Sequence, residues 1–479
     1  MSISALRFNE NIFYRPKGIT IATLLMVCIW AIMRWNYSAI VFIMILALFI
    51  VGIKKPLWAV AAILVSQMTI TSYMVATPLV LISLRLLLML LTLYIIRGAL
   101  IRKEIDFGPH VKKLVIPMLI LIFIGAVSNT FNGLGLEVIF RAFRNMLFGL
   151  LFIIILPAII EDIKQLKILL GVTFIVAIAS SIIGIMQYYN FLGMNVATLE
   201  AGFLDGAGRV PGMGQTELEL AYILPMVIVI VLSIFIAKTN HSGGRILILV
   251  PLIPLSIALY FTYTRSALFA LGPAILSLYL FFKTRIRWEA ILLIIVLLVL
   301  LIEASNLLEE TYIAGRSETG QEESSVARNI LRQVGIAIAL DNPILGIGSD
   351  QFVEISREYA YVVNPVFLEY EGDRYYSYTT LGNNQPHHDF ITMWLTYGTL
   401  ALIAYIFIHF VIVYTLGYSF RKSNNRFIKG LSVGLAAALV TYVVNSFYHN
   451  IETTLPLLYI IAGFSLITSK LAARETAAI

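Results

Sequence analysis

Charge is what this sequence has least of. Only 13% of its 479 residues are Asp, Glu, Lys or Arg, against roughly 25% in a soluble domain. That shortage excludes an ordinary water-soluble globule. A hydrophobic content of 59% and a mean hydropathy of +0.90 make lipid the expected solvent. The single cysteine, Cys28, excludes an internal disulfide and a cysteine-based zinc cluster, and offers no obvious thiol chemistry. A pI of 9.2 would suit a nucleic-acid binder in a soluble chain. Here basic residues fill the short loops, as the positive-inside rule requires, and no nucleic-acid partner is expected.

Apolar runs of about 20 residues, enough to cross a bilayer, recur from end to end. The expected fold is therefore all-α: a polytopic integral membrane protein with about 12–14 transmembrane helices and one long outer loop containing short helices. Residues 1–17 are polar and basic and lead into an apolar run from Gly18 to Ile32 without a small-residue cleavage site. It is read as an uncleaved first span. Alternating sides from a cytoplasmic start puts all thirteen lysines, from Lys17 to Lys470, on one side. Both chain ends then lie in the cytoplasm and loop 304–388 outside. The expected division is 1–187, N-terminal helices; 188–416, a functional core that includes loop 304–388; and 417–479, C-terminal helices.

The outer side, cleared of lysine, keeps arginine: Arg34, Arg141, Arg144, Arg209, Arg265 and five more in loop 304–388. Arginine does what lysine does poorly, namely planar, bidentate recognition of phosphate or carboxylate. The loop holds twelve acidic residues against five arginines and no lysine, a net charge of −7, so any anion would have to be attracted by local arginine placement. Within it Ala327, Leu331, Val334 and Ile338 keep helical spacing, with Ser324 or Ser325 as cap and Asn342–Pro343 as stop. Arg328 and Arg332, at i and i+4, share one face. Either this helix lies on the membrane with solvated arginines, or it holds an arginine fork above the membrane core. Gly346 and Gly348 in "NPILGIGSDQF" permit a tight turn. The lone GxG lacks the strand–glycine–helix setting of a nucleotide fold. Tyr359, Tyr361, Tyr370, Tyr375, Tyr376 and Tyr378 suit either sugar stacking or an interfacial belt.

Two of the six histidines stand together in "NNQPHHDFITMWLTYG", where the loop meets an apolar run read as span 389–416. Pro386 stiffens the approach and Asp389 is read as the helix cap. Histidine titrates near neutrality and can take a proton from a hydroxyl. No serine elbow or Cys–His metal cluster is evident, so direct attack by an acceptor hydroxyl is the economical chemistry. Arg209 precedes a span in "DGAGRVPGMGQTELELA", and Arg265 opens another in "YTRSALFALG"; anchoring to lipid headgroups is the alternative for each. Glu217 and Glu219 can pair with these arginines or carry function. His409 and His449 are read as structural.

In this order, "GRVPGMGQTELELAYILP", "YTRSALFAL", "SSVARNILRQVGIAIALDNPILGIGSDQF" and "PHHDFITMWLTYGTLALIAYI" resemble the O-antigen ligase and polymerase family of bacterial membrane glycosyltransferases, over roughly residues 206–410. The resemblance implies transfer of a glycan from undecaprenyl pyrophosphate to an acceptor hydroxyl, at the outer side of the bacterial cytoplasmic membrane, without metal or other cofactor. The acceptor it implies is a glycan or a lipid-linked acceptor. His387 matches the family histidine, base or orienter of the acceptor. Arg265 and Arg328 match arginines that hold the pyrophosphate, and Arg209 another loop arginine. Many members carry asparagine where His388 stands, which leaves open which ring acts; Arg332 and Glu217 are further candidates. The rival reading is a transporter or flippase of anionic lipid-linked sugars, which would show inverted repeats and broken helices at mid-membrane. No clear repeat is present, and the charges cluster at the outer face.

Overall fold

The structure, a computed structural model, describes residues 55–69, 92, 98, 106–191, 210–213, 217–238, 250–282, 318–362, 385–448 and 451–477. These residues are helical and carry no strand. Among the described residues, six helices are long and apolar enough to cross a membrane, and the protein is an all-α polytopic membrane protein. The spans expected over 18–34, 37–53, 78–96 and 289–303 lie largely or wholly outside the described residues.

In chain order the helices are α1 (Pro56–Thr69), α2 (Val111–Phe131), α3 (Leu136–Ile159), α4 (Ile163–Tyr188), α5 (Glu217–Lys238), α6 (Leu252–Phe261) and α7 (Arg265–Phe281). There follow α8 (Glu318–Asp341), the single turn α9 (Phe352–Ile355), a 3-10 helix (Ser356–Val362), α10 (Asp389–Tyr397), α11 (Thr399–Lys422), α12 (Arg426–Ser446) and α13 (Ile451–Ala477). Arg141 and Arg144 lie within α3.

The bundle buries small and polar residues inward and shows large apolar ones outward, as lipid rather than water permits. Phe123 and Phe410 are 68% and 65% exposed, while Ser128, Thr415, Ser419 and Thr468 are fully buried. The hydroxyls of Thr415 and Ser419 donate back to carbonyls one turn earlier, so they need no partner helix. α12 packs most extensively on α5. The reason is a small-residue stripe of the kind that lets membrane helices approach closely. A Cβ at Gly430 would meet Ala237 Cβ at 2.7 Å, and one at Gly434 would meet Ile230 Cα at 2.9 Å. Ser233 Oγ closes the gap by donating to Gly430 O at 2.6 Å.

These contacts fix which helix ends lie together. α12 runs antiparallel to α5, since Gly430 meets Ala237 and Gly434 meets Ile230. The far end of α7 rests on α11 through Phe281 and Phe420, near Lys422. One end of the bundle therefore gathers Lys113, Lys167, Lys422, Lys429 and Lys470. Lys113 donates to Tyr414, and Lys167 and Lys429 sit over the Phe427 and Phe420 rings. The opposite end holds the starts of α5, α7, α10 and α11 and the close of α12.

Candidate functional site

The expected loop helix exists and is longer than its cap signal suggested, starting at Glu318. It is docked rather than afloat. Leu331, Val334 and Ile338 form a separate small core with Ile330, Phe352 and Leu395. At Gly335 a Cβ would lie 2.9 Å from Ile391, so α8 presses directly on α10.

The span read as 389–416 is broken. α10 ends at Tyr397, Gly398 turns at φ 84, and α11 starts at Thr399. The physical cause is the glycine-containing turn Asn342–Gly348, which crosses the break backbone to backbone. The Ile347 and Gly348 N–H groups donate to Leu395 O (2.8 Å) and Thr396 O (2.9 Å), and Thr399 N–H donates to Pro343 O (2.7 Å). A Cβ on Gly398 would collide with Ile344 O. α2 reinforces the crossing: Asn129 Oδ1 accepts from Ser349 N–H at 2.8 Å, and Asn132 donates to Gly346 O at 3.2 Å. The Ile347, Gly348 and Ser349 amides are thereby engaged with protein. The turn is a clamp on α10 and not a phosphate cradle.

What the clamp positions is the histidine turn. His387 adopts φ 50, a left-handed conformation that is uncommon for a residue with a side chain. The helix cap is His388 and not Asp389: His388 Nδ1 accepts from Ile391 N–H at 3.4 Å. That bond leaves Nδ1 unprotonated and the ring neutral. His388 also sets its edge against Phe447 at 4.9 Å. Arg328 and Arg332, half-buried, face this turn from α8. Arg332 donates to Phe447 O and lies over the Tyr448 ring at 5.5 Å, tying α8 to the close of α12. Burial, with the positive fields of Arg328 and Arg332, holds His387 down at about 4. Burial and Arg332 hold His388 at about 4 as well. Both rings are thus neutral near pH 7.

Beneath them runs a buried polar line that sequence reasoning missed. Asp389 is 0% exposed and accepts from Tyr442 OH at 3.3 Å. Tyr442 is bonded to Tyr405 OH at 2.6 Å. His409 Nδ1 bonds Tyr405 O at 2.8 Å, in keeping with the structural role expected of it. Near Tyr442 stands Asn445, 1% exposed, whose two amide atoms have no partner among the described residues. The available signal was polar residues inside the apolar run of α12.

Arg265 opens α7 and is exposed. It lies at the histidine end of the bundle, but no described contact joins it to His387. Arg209 lies outside the described residues. Its neighbour Val210 donates to Phe261 O at 3.2 Å, and Gln187 holds Gly212 through two bonds of 2.9 Å. The stretch after Arg209 is therefore seated four residues from Arg265. Tyr188 stacks on Phe261 at 3.7 Å beside Tyr263, also at left-handed φ, 50. Glu217 begins α5 at this same end; its side chain lies outside the described residues, as do His449 and, Tyr359 apart, the loop tyrosine side chains. Among the described residues, no three His, Cys, Asp or Glu are grouped to hold a metal ion.

Fold and site together define a polytopic membrane protein with a histidine–arginine constellation at one end of its bundle. Residues 247–406 match the O-antigen ligase family model. That match runs from before α6 into α11, enclosing Arg265, Arg328, Arg332 and both histidines, and it supports glycosyltransferase activity of the ligase or polymerase type. No curated protein matches the chain.

Proposed function

We propose that this protein transfers an oligo- or polysaccharide from undecaprenyl pyrophosphate to an acceptor hydroxyl during cell-surface polysaccharide assembly. The reaction takes place at the outer side of the bacterial cytoplasmic membrane, with both chain ends in the cytoplasm. The observation that carries the reading is the facing of Arg328 and Arg332 onto the neutral His387 ring. Breaking a sugar–pyrophosphate bond leaves charge on the departing phosphate, and fixed guanidinium donors stabilise that charge. Arg328, with Arg265 and Arg209, holds the pyrophosphate; Arg332 and Glu217 complete the surroundings. His387 takes the acceptor proton as the acceptor oxygen bonds to the sugar, and His388 orients the turn.

A base held at about 4 is weak under burial and the positive field of the two arginines. A bound pyrophosphate neutralises their field, so donor binding raises the basicity of His387 when it is needed. The same fixed cations serve where a metal otherwise would. The test is transfer in proteoliposomes from a defined undecaprenyl-pyrophosphate glycan. Turnover is expected to survive chelator and to fall by about a hundredfold or more in Arg328→Ala. Loss of turnover in chelator would overturn the metal-free reading, and wild-type activity in Arg328→Ala would overturn the arginine role. Counterflow of intact donor without glycan transfer would favour a flippase instead.

A further inference from the structure

Helix α8 has two unlike faces. Leu331, Val334 and Ile338 are docked, and the opposite arc shows Asn329, Gln333, Ile336 and Leu340 to the exterior. Along the chain that arc is polar at its first two positions and apolar at its last two. The turn that follows extends the apolar half: Leu340 and Ile344 are 61% and 70% exposed.

The clamp fixes how deep this apolar half lies. α2 carries Lys112 and Lys113 at its start and runs for 21 residues, about 31 Å, one hydrocarbon thickness of about 30 Å. Its last residue, Phe131, is 77% exposed. Ser128, Asn129 and Asn132, one turn or less from that end, bond Leu345 O, Ser349 N–H and Gly346 O of the clamp. α11 closes on Arg421 and Lys422 and is 24 residues long, about 36 Å. It exposes Leu400, Ile403 and Phe407 along its length, and its first residue, Thr399, bonds Pro343 O. Measured from their basic ends, both spans put the Pro343–Ser349 turn at the far edge of the hydrocarbon. Ile344 lies against Gly398, so the exposed stripe of α11 leads onto Ile344 and Leu340. The Ile347, Gly348 and Thr399 N–H groups are all bonded within the protein, as backbone at membrane depth requires. Asp341, exposed beside Leu340, keeps the insertion shallow, at the boundary between acyl chains and headgroups.

We propose that the second half of α8 and its following turn are embedded in the membrane leaflet at the histidine end, with lipid as the partner of the Ile336–Leu340–Ile344 surface. The change from Gln333 to Ile336 marks the waterline. Arg332 precedes Ile336 by four residues, about 6 Å along the helix, and the headgroup layer of one leaflet is roughly 5–7 Å thick. Embedding therefore holds Arg332, and Arg328 one turn beyond it, level with lipid phosphates, where a lipid-borne phosphate reaches them sideways from the leaflet. The embedding stands on the exposed surface alone; that the phosphate captured is the donor's rests on the transferase reading above.

The test places single cysteines in full-length protein freed of its one native cysteine by Cys28→Ser. Gln333→Cys, Ile336→Cys, Leu340→Cys and, as a lipid-facing control, Phe407→Cys are spin-labelled in phosphatidylcholine vesicles. Each label's collisions with oxygen, which enters lipid, and with a nickel chelate, which stays in water, are then read. Labels at 336 and 340 should match the Phe407 control, oxygen-rich and shielded from nickel, and the label at 333 should be open to nickel. Nickel access at 340 equal to that at 333 would overturn the proposal. So would shielding from both reagents with spin–spin coupling between copies, which would make the face a protein contact. In transfer assays Leu340→Asp, which sets a charge against lipid, should raise KM for the lipid-linked donor by about tenfold or more, and Gln333→Asp should leave it within about twofold. An unmoved KM in Leu340→Asp would overturn the capture role. If that variant does not fold, the cysteine series still decides the embedding. Wild-type protein that transfers no glycan overturns the transferase reading instead and leaves the collision measurements intact.

Discussion

The two ends of the bundle each hold a histidine beside cations, yet they use those cations differently. At the lysine end, His110 Nδ1 is bonded to Ser469 Oγ at 2.6 Å, its ring set against Tyr414 and Tyr418. Arg474 is paired with Asp106 at 2.9 Å and with Glu161 O at 2.7 Å. Buried Lys470 donates to Pro157 O at 2.6 Å, and Ser423 to Glu475 at 2.6 Å. At the histidine end, Arg332 meets a carbonyl and a tyrosine face, and together with Arg328 it imposes its field on His387. At the first end these bonds tie α2, α3, α11 and α13 together. At the second, the two arginines set a positive field on a histidine whose backbone turns at φ 50, an arrangement that suits the reception of an anion.

The largest expected effect separates the two histidines. His387→Ala should reduce transfer by about a hundredfold or more, the scale of a lost general base. His110→Ala should alter turnover little and lower thermal stability instead. Equal losses in both would show that the ends are not functionally distinct, and intact turnover in His387→Ala would remove the base from this site. A smaller, directional effect concerns pH. A protonated ring accepts no proton, so activity falls as pH drops through the pKa of His387. That limb should lie near pH 4 in kcat/KM, which reports free enzyme. In kcat it should lie higher, since bound pyrophosphate offsets Arg328 and Arg332. Coincident limbs would break the link between donor and base.

Much of this contrast was legible in the chain. Lysine segregation anticipated the lysine end, and the Leu331–Val334–Ile338 spacing anticipated the docked face of α8, because both depend on local composition and period. The break at Gly398 was not legible: an apolar run continues through it, and only the crossing of the Asn342–Gly348 turn, some fifty residues earlier, requires it. The same holds for Asp389. As a helix-start acid it reads as a cap, and only the fold shows it buried against Tyr442, on a helix two elements later. Pairings between distant segments carry no periodic signature, which is why the candidate residues were readable and their assembly was not.

The smallest expected effect lies at the lysine end. Lys470 is 1% exposed, and its Nζ satisfies Pro157 O, the carbonyl of a proline near the end of α3. Lys470→Met keeps the stem and its packing and removes the donor. The carbonyl then loses a charge-assisted bond, a loss of about 1–3 kcal/mol, while a buried cation no longer needs compensation, which offsets part of it. The variant should therefore unfold a few degrees lower at most and transfer glycan at the wild-type rate. Thermal unfolding in detergent and turnover in proteoliposomes measure the two separately. A drop in kcat with stability unchanged would mean that the lysine end communicates with the histidine turn along α11. That would replace two independent ends with one coupled machine.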